Sequence, residues 1–92
     1  MTDIIVKQMP AFKRTYKKLH GNEKQKVDEA IRLIIQDPEI GEEKKGDLRG
    51  VFIYKFKMQT REFLLAYEWC RRERLLLALG VHENFYRDLK KR

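Results

Sequence analysis

Three β-rich runs fill most of the second half of the chain: Val51–Met58, Glu62–Trp69 and Arg74–Val81. Only Gln59-Thr60-Arg61 and Cys70–Glu73 separate them. A parallel crossover needs roughly a dozen residues or more, so gaps this short predict antiparallel neighbours. Side chains along a strand alternate between faces. A sheet with one bulky face must bury it, and the rest of the chain has to supply the cover.

The first half supplies it. Asp3–Gln8 is short and β-branched and reads as a first strand, ended before Pro10. Proline suits the first helical turn, and Phe12, Tyr16 and Leu19 then recur at helical spacing among Lys13, Arg14, Lys17 and Lys18. Gly21 is read as the break, and Asn22 as the N-cap of a second helix. Val27, Ala30, Ile31, Ile34 and Ile35 form the apolar stripe of that helix, which ends before Pro38. Asp37–Gly50 is polar, charged and glycine-containing, a long loop. Glu83–Leu89 closes the chain as a short C-terminal helix. The predicted fold is α+β in the order β-α-α-β-β-β: an antiparallel sheet with an N-terminal helical hairpin packed on one face, one domain over residues 1–92.

Alternation then assigns the faces. Phe52, Tyr54, Phe56 and Met58 point one way, and Val51, Ile53, Lys55 and Lys57 the other. On the next run Phe63, Leu65, Tyr67 and Trp69 are bulky, whereas Glu62, Leu64, Ala66 and Glu68 are smaller or charged. The last run gives Leu75, Leu77 and Leu79 to one side and Arg74, Leu76, Ala78, Gly80 and His82 to the other. If the bulky sets share the core, the lysines, Ala66, Ala78, Gly80 and His82 share an open face with a shallow hollow. Lys55 and Lys57 stand roughly 7 Å apart along their strand.

Charge narrows the partners. Lysine and arginine number 21 against 14 acidic residues, a formal charge of +7, which favours polyanions such as nucleic acid, an acidic protein or an anionic surface. Cys70 is the only cysteine, so no disulfide forms within the chain and a reducing cytoplasm fits. No run approaches the ~18 apolar residues of a membrane span, and the N-terminus has no signal-peptide pattern. No acidic cluster or His/Cys spacing marks a metal site, and no cofactor is expected.

Gly46-Asp47-Leu48-Arg49-Gly50, then Tyr54-Lys55-Phe56-Lys57, Leu65-Ala66-Tyr67-Glu68, Gly80-Val81-His82-Glu83 and Tyr86 resemble, in order and spacing, the RelE/ParE toxin superfamily of type II toxin–antitoxin systems. The RelE branch cuts messenger RNA in the ribosomal A site; the ParE branch shares the fold and poisons DNA gyrase. The resemblance places Lys55 and Lys57 at the paired active-site lysines and Tyr86 at the C-terminal tyrosine. His82 stands where RelE has an arginine, and Leu64 replaces a further arginine, for which Arg61 is the nearest substitute.

For a nuclease of this kind no metal is required, because the RNA 2′-OH can attack its own phosphate. Lys57 would act as base, with Lys55 beside it disfavouring the ammonium form. Lys55, helped by Arg61, would stabilise phosphate charge. His82 would be the acid, its imidazole titrating near 6.5 in water. Tyr86 would stack on a base or orient the phosphate. Lys44, Lys45 and Arg49 in the loop, with Lys13, Lys17 and Lys18 on the first helix, would grip the RNA backbone. His20 is read as a helix-end residue. Expected partners are mRNA, the ribosome and a cognate acidic antitoxin, with no membrane. A gyrase-directed toxin and a non-catalytic basic binding module are the competing readings, and Leu64 favours them.

Overall fold

The structure is a computed structural model; residues 3–81 and Phe85 are described. The chain runs through β1 (Ile5–Gln8), α1 (Pro10–Lys17), α2 (Gly21–Gln36), β2 (Glu42–Glu43), a single 3₁₀ turn at Gly46–Leu48, β3 (Phe52–Met58), β4 (Arg61–Cys70) and β5 (Glu73–Val81). The strands form one sheet in the order β1-β5-β4-β3-β2.

The α+β arrangement with a helical hairpin on one face is present, but the sheet is not wholly antiparallel. β3, β4 and β5 pair antiparallel as their short connections require, whereas β1 lies parallel to β5, with Ile5 opposite Glu73 and Gln8 opposite Leu76. The helical hairpin and the other strands separate β1 from β5 in sequence, so no tight turn dictates their relative direction. A fifth strand also emerges inside the expected loop, where Glu42 and Glu43 pair with Ile53 and Phe52. The β3–β4 turn is tighter than expected. It contains only Gln59 and Thr60, Gln59 takes φ 57°, and Arg61 already pairs with Met58.

Pro10 opens α1 as expected, and the helix ends at Lys17. The second helix starts earlier than Asn22. His20 is its N-cap and Gly21 its first residue, and the Glu23 carboxylate accepts the His20 backbone N–H at 2.8 Å. That reciprocal bond satisfies a donor at the start of the helix. Tyr16 Oη donates to Asp28 Oδ1 at 2.9 Å and ties the two helices together.

Phe12, Val27, Ala30 and Ile34 press onto Met58, Phe63, Leu65, Tyr67, Leu76 and Leu79, the main core. Each of the large aliphatic and phenylalanine side chains among them contributes about 1.5–3 kcal/mol by leaving water. A bulge between Ala66 and Tyr67 shifts the β4–β5 register: Leu65 faces Leu79, but Tyr67 faces Leu76 and Trp69 faces Arg74. Leu77 is the extra residue. Leu76 and Arg74 therefore join the helix side, and Leu75 and Leu77 the opposite one, reversing the simple alternation for that half of β5.

Arg74 shows why the reversal is stable. It is buried at 4% exposure, and its guanidinium donates to the carbonyls of Ile34 (3.1 Å), Ile35 (3.0 Å) and Cys70 (2.8 Å). The first two belong to the last turn of α2, whose carbonyls have no helical partner and carry the negative end of the dipole. An arginine that simple alternation assigns to the face opposite Leu75, Leu77 and Leu79 is instead a clamp on the C-terminal end of α2.

Candidate nucleic-acid interface

The face of the sheet turned away from the helices is half roofed. Leu48 from the 3₁₀ turn, Val51 and Phe85 cover Ile53, Leu64, Ala66 and Leu77 as a second apolar cluster. A methyl placed on Gly80 would lie 3.6 Å from Phe85 Cδ1, so the ring lies directly over that glycine. The expected hollow around Ala66, Ala78 and Gly80 is therefore largely filled. Among the described residues, the end of the sheet near the β3–β4 turn is exposed.

That open end carries Lys55 and Lys57, both exposed and on the same face as buried Ile53. Lys55 stands opposite Leu64, and Leu64 opposite Gly80. Lys57 stands opposite Glu62, and no ion pair joins them among the described residues. Cross-strand partners hold their Cβ atoms about 4.5–5.5 Å apart. β2 pairs only with Phe52 and Ile53, so β3 is a sheet edge at Lys57, and from that edge Lys57 also borders a groove on the helix side with Leu33, Tyr54 and Phe56.

The loop adds cations on the same side. Lys44, Lys45 and Arg49 line a depression of about 350 Å³ with Glu43 and Gly46. Lys44 Nζ binds Glu42 Oε1 at 3.0 Å. This hydrogen bond holds the Glu42 carboxyl below the usual carboxylate range, and the charge of Lys55 contributes in the same direction. The loop is held in register from the helix side: Tyr67 Oη donates to the Pro38 carbonyl at 2.7 Å and accepts from the Gly41 N–H at 3.0 Å. A Cβ on Gly41 would stand 2.7 Å from that oxygen, so only glycine fits.

The other expected residues scatter. Arg61 shares the face of Phe63, with its guanidinium carbon 5.6 Å from that ring's centroid, on the helix side and away from Lys55 and Lys57. Lys13, Lys17 and Lys18 ride on or beside α1, exposed and also on the helix side. Leu64 is fully buried beneath the second cluster. His82 and Tyr86 lie outside the described residues. His20 is a helix-end residue, at the start of α2. Among the described residues no group of histidine, cysteine and acidic side chains could hold a metal, and no helix is long and apolar enough to cross a membrane.

Two residues of this face escaped the sequence reading. Phe85 falls within the C-terminal helix expected over Glu83–Leu89, which apart from Phe85 lies outside the described residues, and it receives no role there, although a phenylalanine among charged residues is itself a packing signal. Glu62 was placed on the open side but given no role. Its register opposite Lys57 follows once the turn is counted as two residues.

A mixed sheet with a helical hairpin on one side and a basic loop and paired lysines on the other defines a small α+β domain with a basic face, and comparison with known proteins identifies its class. Residues 6–90 match the family model described as ParE-like toxin of type II bacterial toxin–antitoxin systems. The chain belongs to that family, within the RelE/ParE superfamily. A chain of the intact Escherichia coli RelBE toxin–antitoxin complex superposes with TM-score 0.69 at 13% identity, covering 87% of this chain and 98% of that one. The isolated E. coli RelE toxin gives 0.67 at 14%, covering 96% of each chain. A YoeB/ParE toxin from Agrobacterium tumefaciens gives 0.68 at 15%, covering 87% of this chain and all of the other. No curated protein sequence matches. At these identities the structural likeness speaks for the fold.

Proposed function

We propose that this toxin is a metal-independent endoribonuclease acting on messenger RNA, in the manner of ribosome-dependent toxins. The observation that carries the reading is the pair Lys55 and Lys57. They are exposed side by side on the sheet face opposite the helices, with Lys45 and Arg49 rimming the same side. Two ammonium groups on one rigid strand can hold adjacent phosphate oxygens, and loop cations can follow the backbone on either side. RNA supplies its own nucleophile, and fixed positive charge stabilises the phosphorane. His82 remains the acid of this proposal, and Tyr86 the base-stacking residue.

The partner that restrains such activity is an acidic antitoxin. The net charge of +7 favours it, and the RelBE complex is a toxin–antitoxin assembly of the same fold.

One observation favours a second reading. Leu64, where an arginine is expected from the resemblance, is fully buried and apolar, and Arg61 faces away. A gyrase-directed toxin needs no phosphate clamp at that point. Primer extension on a messenger after brief expression separates the two. A nuclease gives new 5′ ends with the wild type and at least about tenfold fewer with Lys57→Ala. Intact messenger together with gyrase–DNA cleavage complexes selects the gyrase reading.

A further inference from the structure

We propose that Glu62 is a catalytic residue of this face, the general base that removes the proton from the RNA 2′-OH, while Lys57 opposite it holds the phosphate. This rests on the nuclease reading above. It reassigns the base role that the sequence gives to Lys57.

The argument begins with register. β3 and β4 turn through only Gln59 and Thr60, which fixes Met58 opposite Arg61 and Lys57 opposite Glu62. Alternation along β4 puts Arg61 and Phe63 on the helix side and Glu62 and Leu64 on the other. Glu62 is therefore the carboxylate directly beside the lysine pair, and the roof of Leu48 and Phe85 covers Leu64 and Ala66 further along the strand. Both Glu62 and Lys57 are exposed, so a strand of RNA can reach them together.

The chemistry follows from the donor and acceptor inventory. An ammonium carries three donors and no acceptor, and an ionised carboxylate carries acceptors only. Lys55 and Lys57 can therefore grip non-bridging phosphate oxygens but, while charged, cannot receive a proton. Glu62 can. Among the described residues of the open end it is the acidic group directly opposite a lysine of the pair; Glu42, the other acidic neighbour of Lys55, is engaged by Lys44 at 3.0 Å.

In the proposed step the Glu62 carboxylate takes the 2′-OH proton, and the 2′ oxygen forms a bond to the adjacent phosphorus. The bond from phosphorus to the 5′ oxygen breaks, and that oxygen leaves with a proton from a general acid, for which the sequence offers His82. The products are a 2′,3′-cyclic phosphate and a 5′-OH, with no oxidant, metal or second substrate consumed. A carboxylate base and an imidazolium acid require opposite protonation states, so the rate should be bell-shaped in pH.

The test uses the full chain and a defined messenger, free and on programmed ribosomes, with single-turnover cleavage and filter binding read in parallel. Glu62→Gln is expected to lower the cleavage rate about 10²–10⁴-fold and to flatten the acid limb of the pH profile. RNA affinity should stay within about twofold, and Glu62→Asp should recover part of the rate. If the wild type cleaves and Glu62→Gln stays within threefold, or keeps the acid limb and loses only affinity, the base assignment is overturned while the nuclease reading stands. If Glu62 merely orients Lys57, the double variant with Lys57→Ala is no slower than Lys57→Ala alone, which also overturns it. If the wild type yields no cyclic phosphate from either form of the messenger, the nuclease reading falls and takes the Glu62 role with it.

Discussion

Tyr67 joins the buried side of the sheet to the loop that carries the basic face. Its ring is fully buried in the main core, and its hydroxyl bonds Pro38 and Gly41 just before β2. Burial pushes the phenol above its usual value, with the Gly41 N–H pulling the other way. The sign of the consequence is fixed. Below about pH 10 the phenol is protonated in both folded and unfolded chains. Above it the unfolded chain gives up its proton first, so stability falls as pH rises toward the folded value. Denaturant unfolding at pH 8 and pH 10.5 should show this loss, and Tyr67→Phe should reduce it while costing about 1–2 kcal/mol at neutral pH. The Tyr16 phenol is raised as well, chiefly by its bond to Asp28, so Tyr16→Phe should remove its own share of the same high-pH loss. At this scale the sequence was informative about type and less so about direction. Alternation put Lys55 and Lys57 on the open face, as found. Arg61 was proposed for the site against its own alternation, and it stacks on Phe63.

Between elements, what decides placement is which backbone groups need partners. The faces of β3 and β4 could be read because both strands alternate without interruption. β5 could not, because one bulge residue, Leu77, inverts every assignment on one side of it, and no turn residue announces it. The inversion brings Arg74 beneath the end of α2, where it meets two orphan carbonyls, with its guanidinium carbon 5.8 Å from the Trp69 ring centroid. Arg74→Met should therefore cost about 3 kcal/mol in urea unfolding, since bonds from a charged donor are worth about 1.5–3 kcal/mol each and their loss is only partly offset by the apolar stem. Arg74→Lys should recover little, because an ammonium cannot reproduce the planar fork. An unchanged stability in Arg74→Met would mean that α2 is fixed by its apolar stripe alone. The parallel placement of β1 was equally hidden, for its partner lies more than sixty residues away in sequence, as Ile5 opposite Glu73 shows.

Across the whole molecule, where the net charge of +7 sits matters more than its size. The sequence pooled Lys13, Lys17 and Lys18 with Lys44, Lys45 and Arg49 as one RNA grip. The fold separates them: α1 packs on the helix side of β5, and the loop cations share the side of Lys55 and Lys57. A sheet and its helices stand between the two groups, a separation comparable to or beyond the ~8–10 Å over which salt screens exposed charges. A single strand of RNA lying on the lysine pair should therefore feel one group and not the other. For single strands each neutralised phosphate contributes about 0.7 to the slope of log affinity against log salt. Lys45→Ala with Arg49→Ala should thus lower the magnitude of that slope by about 1.4. Lys13→Ala with Lys17→Ala removes the same formal charge and should leave the slope within about 0.3 of the wild type, because those lysines neutralise no bound phosphate. Fluorescence anisotropy with a labelled oligoribonucleotide between about 50 and 200 mM salt reads both. Equal losses from the two double variants would show that binding follows net charge and that the RNA is not confined to the lysine face. The paired-lysine site would then lose its claim to be the place where the strand is held.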